Sequence, residues 1–263
     1  MTRRQFAVGA AAAALAFGKT QPSVGCQANG FVLKPGDFPA LLAAAGKMKL
    51  LGYAGFECNI RFVKNQFFHA AAARGAIEQV GLEFLGGHMS MADATPEIFL
   101  GLASLGAHWA VVSSSGPWQS AELDSLAKTC SNAGLKFAYH NHNPEFAGHN
   151  GVMEQLVRGT NPKLVNFLLD AGHGYLGGGD PAEFMRRHSE RIVGCHLKTF
   201  NGSSSASQVP LGEGRFGFEE LAAAIRDAGW TGWLIDEEGG GPVAPGTDAL
   251  GPDRDYIRRV FGA

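Results

Sequence analysis

The segment that organises this chain is residues 136–146, which reads Lys136-Phe137-Ala138-Tyr139-His140-Asn141-His142-Asn143-Pro144-Glu145-Phe146. Its first half is apolar and aromatic, as a buried strand is, and its second half carries histidines, asparagines and a glutamate. Such polar groups are costly to bury unless something binds them. The segment therefore predicts a buried strand that ends in a binding site.

Three later segments repeat this pattern of an apolar run followed by polar side chains. The runs end at Asp170-Ala171-Gly172-His173, at His196-Leu197-Lys198 and at Asp236-Glu237-Glu238. If all four runs are parallel strands of one sheet, their carboxyl ends meet at one rim. Polar residues that are distant in sequence would then share one pocket.

The length and the order of the elements indicate one domain. The chain has 263 residues, close to the roughly 250 that are typical of a (β/α)8 barrel. From residue 23 to the end, strand-like and helix-like segments alternate, which predicts a single-domain α/β TIM barrel over residues 23–263. The glycine- and serine-rich segment 199–217 is too long for a simple connection and is a candidate active-site loop.

The first 22 residues are predicted to be an export signal peptide and a short linker. Arg3 and Arg4 precede Phe6 and an alanine-rich run, which resembles a twin-arginine signal. We expect an exported, periplasmic protein with no stable membrane association after cleavage, because the run is too short to span a bilayer. A short membrane anchor, or a start site assigned too early, is the alternative.

The net charge argues against a nucleic-acid-binding protein, and the cysteine spacing argues against a zinc-finger or redox motif. A formal net charge of −2 and a pI near 6.5 argue against a nucleic-acid partner, which usually needs a basic face. A small-molecule partner fits better. The four cysteines lack zinc-finger or redox spacing, so buried thiols are expected, although Cys26 and Cys58 would lie on neighbouring strands where a disulfide is conceivable.

The polar blocks resemble the sugar phosphate isomerase/epimerase family, whose barrels are similar to xylose isomerase and endonuclease IV. The blocks are residues 139–146, 169–173, 194–198, 211–214 and 233–237. The resemblance implies one divalent metal ion, manganese, cobalt or zinc, held by Glu, Asp, His and Glu at the ends of strands five to eight. Members of the family are often dimers or tetramers, so a homo-oligomer is a further possibility.

Three of the four implied ligands are matched directly, by Asp170, His196 and Glu237. The first ligand is open, because many members have Glu-Asn-His where this chain has the sequence beginning at His140. We favour Glu145, the nearest carboxylate, with His140 or His142 as alternatives. A set of imidazole and carboxylate groups suits a borderline-to-hard divalent ion.

Such a metal would polarise a sugar carbonyl and stabilise the enediolate formed when a neighbouring C–H proton leaves. His142 is the first candidate base because histidine titrates near neutrality, and Glu145 or Glu237 would act opposite it. This predicts a sugar isomerase or epimerase. A lyase or dehydratase acting on a keto-sugar or keto-glycoside is the alternative, and a non-catalytic sugar-binding barrel is the alternative from another class.

Five further side chains at the same rim are predicted to bind substrate. His173 resembles the family's substrate-binding histidine after the metal aspartate, and His140 belongs to the first block. Lys198 would hold a substrate oxygen or else be a solvated lysine. Glu57 and His88, at the ends of the second and third strands, are candidates to bind hydroxyls.

Overall fold

The computed structural model describes residues 21–237 and 249–263. Residues 1–20 of the predicted export segment, and Glu238 of the last polar block, lie outside these ranges. No helix within the described ranges is long and apolar enough to cross a membrane.

The strands form a closed parallel barrel and a small hairpin. In chain order they are β1 (Ser23–Gln27), β2 (Gly55–Asn59), β3 (Glu83–Ser90), β4 (Trp109–Ser113), β5 (Lys136–His140), β6 (Val165–Asp170), β7 (Ile192–Leu197), β8 (Thr199–Phe200), β9 (Gln208–Val209) and β10 (Trp233–Asp236). The barrel order is β1-β10-β7-β6-β5-β4-β3-β2, and β8 and β9 pair as an antiparallel hairpin. The predicted (β/α)8 barrel is confirmed, and the hairpin lies inside the predicted loop 199–217.

Helices connect the strands around the outside. They are α1 (Phe38–Leu50), α2 (Ala70–Val80), α3 (Pro96–Ser104), α4 (Ser120–Asn132), α5 (Asn143–Gly159), α6 (Ala171–Leu176), α7 (Pro181–His188), α8 (Glu219–Asp227) and α9 (Leu250–Phe261). Helix α5 is interrupted at residues 147–150, where the backbone is not helical.

Short polar side chains cap the amino ends of several of these helices. Asp37, Thr95 and Asp180 each accept a hydrogen bond from the backbone N–H three residues later. A proline lies in the first turn of each of these helices, where its missing N–H costs nothing. These caps fix where each connection ends and each helix begins.

The barrel has an inner and an outer apolar layer. The inner layer consists of Leu85, Trp109, Val111, Ala138, Leu168, Trp233 and Ile235. Side chains alternate along a barrel strand, so Phe137 and Tyr139 of β5 pack in the outer layer. Ala138 and, two residues on, His140 face the barrel axis. The same alternation directs the last residue of several strands into the carboxyl-terminal mouth.

The barrel closes where the first and last barrel strands meet. β1 pairs with β10 so that Cys26 is level with Asp236. The buried Tyr53 hydroxyl contacts Asp236 Oδ2 and lies 2.8 Å from the carbonyl oxygen of Leu250. This contact connects the start of β2, the end of β10 and the start of α9.

All four cysteines are buried, and none of them forms a disulfide within the described ranges. The interpretation as buried thiols is confirmed, and the conceivable disulfide between Cys26 and Cys58 does not form.

Candidate metal centre

Four polar side chains converge at the carboxyl ends of neighbouring strands. His140 ends β5, Asp170 ends β6, His196 lies near the end of β7 and Glu237 follows β10. One ligand atom from each lies within 4.8 Å of the others. The strand register brings two of these residues together, because β6 and β7 pair with Asp170 directly beside His196.

Glu145 does not join this cluster, which corrects the preference for it as the first ligand. Adjacent residues of a strand face opposite sides, so Tyr139 points to the outer layer while His140 points inward. Glu145 is fully buried and accepts a hydrogen bond from the Tyr139 hydroxyl at 2.7 Å. His140, the alternative, occupies the position beside Asp170.

Asp170 uses its two carboxylate oxygens differently. Oδ1 accepts the backbone N–H of His173 at 2.8 Å and caps α6. Oδ2 faces the cluster, 3.2 Å from His140 Nε2 and 2.8 Å from Lys198 Nζ. Burial alone would raise the pKa of Asp170, but the positive charge of Lys198 outweighs burial and holds the pKa well below its usual value.

Lys198 is buried within the site, so the alternative of a solvated lysine is wrong. Its Nζ lies 2.8 Å from Asp170 Oδ2 and 2.8 Å from Glu237 Oε2. Burial would lower the pKa of Lys198, but the two carboxylates raise it to about 12. Gly172 permits this placement, because a Cβ there would lie 2.2 Å from the Lys198 carbonyl oxygen.

His196 Nδ1 is a buried atom without a hydrogen bond of normal geometry, and it contacts Glu237 Oε2. Glu237 Oε2 also lies 2.8 Å from Lys198 Nζ. Burial would lower the pKa of His196, but the carboxylates of Glu237 and Glu57 raise it to about 10. A cation bound at His196 Nδ1 would replace the hydrogen bond that this nitrogen lacks.

Behind the cluster, Glu57 is fully buried and accepts three hydrogen bonds. Its Oε1 receives Trp109 Nε1–H at 2.6 Å, and its Oε2 lies 2.8 Å from Nε2 of both His88 and His196. Burial would raise the pKa of Glu57, but His88 and His196 hold it well below its usual value. The expectation that Glu57 binds a substrate hydroxyl does not fit this geometry, because its oxygens are already engaged.

His88 lies between the cluster and the mouth. Its ring stacks on that of His196, with ring centroids 5.2 Å apart, and its side chain is 14% exposed. Only its Nε2 is engaged by Glu57. His88 therefore remains close enough to the mouth for the predicted contact with a ligand.

His142 and His173 lie on the open side of the cluster. The His142 ring centroid is 5.0 Å from that of His140 and 5.2 Å from that of His173. His173 Nδ1 lies 2.6 Å from Asn143 Oδ1. Burial lowers the pKa of His173 to about 4 and that of His140 to about 3, despite the opposing effect of Asp170 on both. Both rings are therefore neutral near pH 7.

A cavity of about 320 Å³ adjoins His142. It is lined by Ser113, Ser114, Ser115, His142, Pro144 and Glu145. A larger cavity of about 640 Å³ lies near the amino ends of the strands, where Lys136 and Trp233 begin β5 and β10. Barrel enzymes work at the carboxyl ends, so the smaller cavity is the one beside the candidate chemistry.

Comparison with known proteins agrees with this geometry. The family described as Xylose isomerase-like TIM barrel matches residues 106–260, more than half of the chain. The chain belongs to this family. The matched region contains the whole cluster of His140, Asp170, His196 and Glu237.

Individual relatives of this xylose isomerase-like chain carry different names. Inosose dehydratase of Bacillus licheniformis is 28% identical over 131 residues, which cover 44% of this chain and 44% of that protein. A sugar phosphate isomerase/epimerase of Parabacteroides distasonis is 17% identical with a TM-score of 0.69, covering 95% of this chain and 98% of that chain. The IOLI protein, solved with a zinc atom, is 14% identical with a TM-score of 0.70, covering 91% and 98%. The aligned part spans less than half of the dehydratase, and the two structures show a shared fold.

The donor set of this xylose isomerase-like barrel fits a divalent metal ion. Two imidazole nitrogens and two carboxylate oxygens are ligands that zinc, cobalt and manganese accept. The buried His196 Nδ1, which lacks a normal hydrogen bond, is where such an ion would be needed. These observations fit the predicted metal without identifying the element.

Two parts of the site were missed by reasoning from the sequence. Trp109 donates its indole N–H to Glu57. Asn141 joins β5 to β6 by exchanging hydrogen bonds with the backbone of Asp170. Asn141 lies within the polar block, which was a signal for it, whereas nothing in the spacing of Trp109 indicates its partner.

Proposed function

We propose that the protein is a metal-dependent lyase that removes water from a keto-sugar or a cyclic keto-polyol. The observation that carries this proposal is the convergence of His140, Asp170, His196 and Glu237 at the barrel mouth. The name of the inosose dehydratase relative supports elimination as the outcome. The substrate class is inferred from that partial match and from the chemistry of the site.

The four clustered side chains would hold the ion, which when bound would supply Lewis-acid polarisation of the substrate carbonyl. Lys198 donates toward Asp170 and Glu237. An ammonium group has three N–H donors, so one remains for a substrate oxygen. We assign Lys198 to orienting that oxygen.

His142 is the proposed base. Within the described ranges neither ring nitrogen of His142 has a hydrogen-bond partner, and the ring lines the cavity beside the cluster. His142 would take the proton from the carbon next to the carbonyl. The C–H electrons form a carbon–carbon double bond, and the bond to the hydroxyl on the next carbon breaks. The departing oxygen takes up a proton and leaves as water.

Glu145 is better placed than Glu237 to act as the second proton-transfer group. Glu237 is engaged by His196 and Lys198. Glu145 uses Oε1 to accept from Tyr139, and its Oε2 has no hydrogen bond to any residue that the structure describes. Because Glu145 shares the cavity with His142, we assign its protonated carboxyl form, with the hydrogen on Oε2, to protonating the leaving oxygen.

Isomerisation or epimerisation of a sugar, which the sequence favoured, is the second candidate. It shares the first step and differs in returning the proton to the substrate. The cluster and His142 serve either outcome, and the relative's name favours elimination. The non-catalytic sugar-binding barrel is disfavoured because the ligand set is complete.

The test is to load purified protein with manganese, cobalt or zinc and incubate it in deuterated water with an inosose, a cyclic keto-polyol with a free hydroxyl on the carbon next but one to the carbonyl. Loss of water detected by mass spectrometry, abolished in His142→Gln and retained in His108→Gln, supports the lyase. His108 is a suitable control because it precedes β4, near the amino ends of the strands, and its side chain is 39% exposed. Deuterium incorporation without loss of water would favour the isomerase, and neither change would reject both.

We also propose export through the twin-arginine route, supported by the sequence of residues 1–22 alone. Cell fractionation tests it. The wild-type chain is expected in the periplasm, and a chain with Arg3→Lys and Arg4→Lys is expected to stay in the cytoplasm. Equal distribution of the two chains would reject the proposal.

A further inference from the structure

One imidazole connects the metal cluster to a carboxylate behind it. His196 is fully buried. Its Nδ1 contacts Glu237 in the cluster, and its Nε2 lies 2.8 Å from Glu57 Oε2 on the opposite side. The orientation of this ring is therefore set from two directions.

The hydrogen positions around Glu57 follow from the chemistry of its partners. An indole nitrogen can only donate, so Trp109 places its N–H on Oε1 and holds the carboxylate in an accepting state. An ionised carboxylate can only accept, so the contact at Oε2 puts a hydrogen on His196 Nε2. A neutral His196 ring then has its lone pair on Nδ1, the atom that faces the cluster.

We propose that Glu57 is a positioning residue that fixes the tautomer and orientation of His196, so that Nδ1 is presented to the metal ion. This inference rests on the proposed function, because it requires that the cluster binds metal. Carboxylates that accept from the second nitrogen of a metal-binding histidine orient the ring and raise its basicity as a ligand. Trp109 and His88, from neighbouring strands, hold Glu57 in place for this role.

A second ion bound by Glu57, His88 and His196 is the competing interpretation, because their ligand atoms also lie within 4.8 Å of one another. Three donors already engage the two oxygens of Glu57. Binding an ion at His196 Nε2 while Nδ1 serves the first ion would also require the ring to lose both hydrogens. The geometry therefore favours one ion and a supporting carboxylate.

The first experiment reads the tautomer directly in the zinc-loaded wild-type protein by long-range 1H–15N correlation NMR with labelled histidine. The inference expects His196 to carry its hydrogen on Nε2 and to bind zinc through Nδ1. Zinc on Nε2 would overturn it. The tautomer is read in the wild-type protein, and the His196→Gln variant serves only to assign the signal.

The second experiment measures metal affinity by competition with a chelator. Glu57→Gln replaces the two carboxylate oxygens, both acceptors, with one amide oxygen and one amide NH2 group, which donates. The substitution should weaken zinc binding by about 10- to 100-fold. It should also remove the single Nε2–H tautomer of His196. Trp109→Phe, which leaves the contact between Glu57 and His196, is the matched control and should weaken binding much less.

The outcomes separate this inference from the proposed function. If the wild-type protein binds no divalent ion, both fail. If it binds one ion and Glu57→Gln binds equally well with an unchanged His196 tautomer, only this inference fails. Two equivalents in the wild-type protein, with one lost in His88→Phe, would establish the second ion and overturn the positioning role.

Discussion

His140 Nε2 lies 3.2 Å from Asp170 Oδ2 across the pair of strands β5 and β6. The resemblance to sugar phosphate isomerases and epimerases implies a glutamate at this strand end. With an imidazole there, the ligand set carries two carboxylates instead of three. Two negative charges balance a divalent ion, so the loaded cluster of four ligands is formally neutral.

The identity of the fourth ligand can be tested by substitution. His140→Ala should lower zinc or manganese affinity at least about tenfold, since removing one ligand removes a direct bond to the ion. His140→Glu restores an oxygen ligand and should retain the metal. Metal titration and elemental analysis are the measurements. Glu145→Gln is the matched control and should bind normally, and loss of metal in that variant instead would restore Glu145 as the ligand.

Lys198 should stabilise the metal-free protein more than the loaded one. Lys198→Met leaves Asp170 and Glu237 buried without their cation, which should cost about 3 kcal/mol in unfolding free energy. Added metal would supply the missing charge, so the variant should gain more thermal stability from zinc than the wild-type protein does. Thermal unfolding with and without zinc measures this. Equal gains in both proteins would contradict it.

The neutral His173 predicts a loss of stability in mild acid. Its pKa is about 4 in the folded protein, against an ordinary value of 6.5. The unfolded chain therefore binds more protons between these values, and stability falls as the pH drops from 6.5 toward 4. His173→Gln cannot titrate, so between pH 7 and pH 5 it should lose less unfolding free energy than the wild-type protein, by on the order of 1–2 kcal/mol. Urea unfolding of the metal-free proteins at both pH values measures the difference, and parallel losses would count against it.

The contact between Tyr139 and Glu145 should stabilise the fold without affecting metal stoichiometry. Tyr139→Phe removes the only hydrogen bond that the buried Glu145 carboxylate receives among the described residues. The expected loss is about 1–3 kcal/mol in unfolding free energy. Tyr175→Phe is the control, because no hydrogen bond of the Tyr175 hydroxyl is found in the described ranges. A larger loss in the control would show that ring packing dominates instead.

The barrel and the meeting of its strand ends could be predicted from the sequence. Both depend on the lengths of the apolar runs and on the order in which strands and helices alternate along the chain. Each polar block follows an apolar run of strand length, and parallel strands bring such ends together whatever their separation in sequence. The positions of Asp170, His196 and Glu237 at the rim could be predicted in this way. The helix caps at Asp37, Thr95 and Asp180 were also accessible, because capping is local.

The same reasoning could not decide whether Glu145 or His140 is the first metal ligand. It depends on which face of β5 each side chain occupies, and a helix beginning at Asn143 carries Glu145 away from the axis. The environment of Glu57 was also hidden. Its donors, Trp109 and His196, come from two other strands and are 52 and 139 residues away in sequence. Contacts of that kind are decided by packing in three dimensions.

Because β1 pairs with β10, the barrel can close only after the last barrel strand has been synthesised. A nascent chain that has emerged as far as β7 already holds His140, Asp170 and His196, yet it lacks Glu237, and its barrel is open along the edges of β1 and β7. The Tyr53 hydroxyl can form its contacts with Asp236 and the Leu250 carbonyl only after the start of α9 has been synthesised. The complete ligand set therefore exists only once Glu237, the residue after β10, has been synthesised, so a nascent chain that ends at β7 can offer an ion only three of the four ligands.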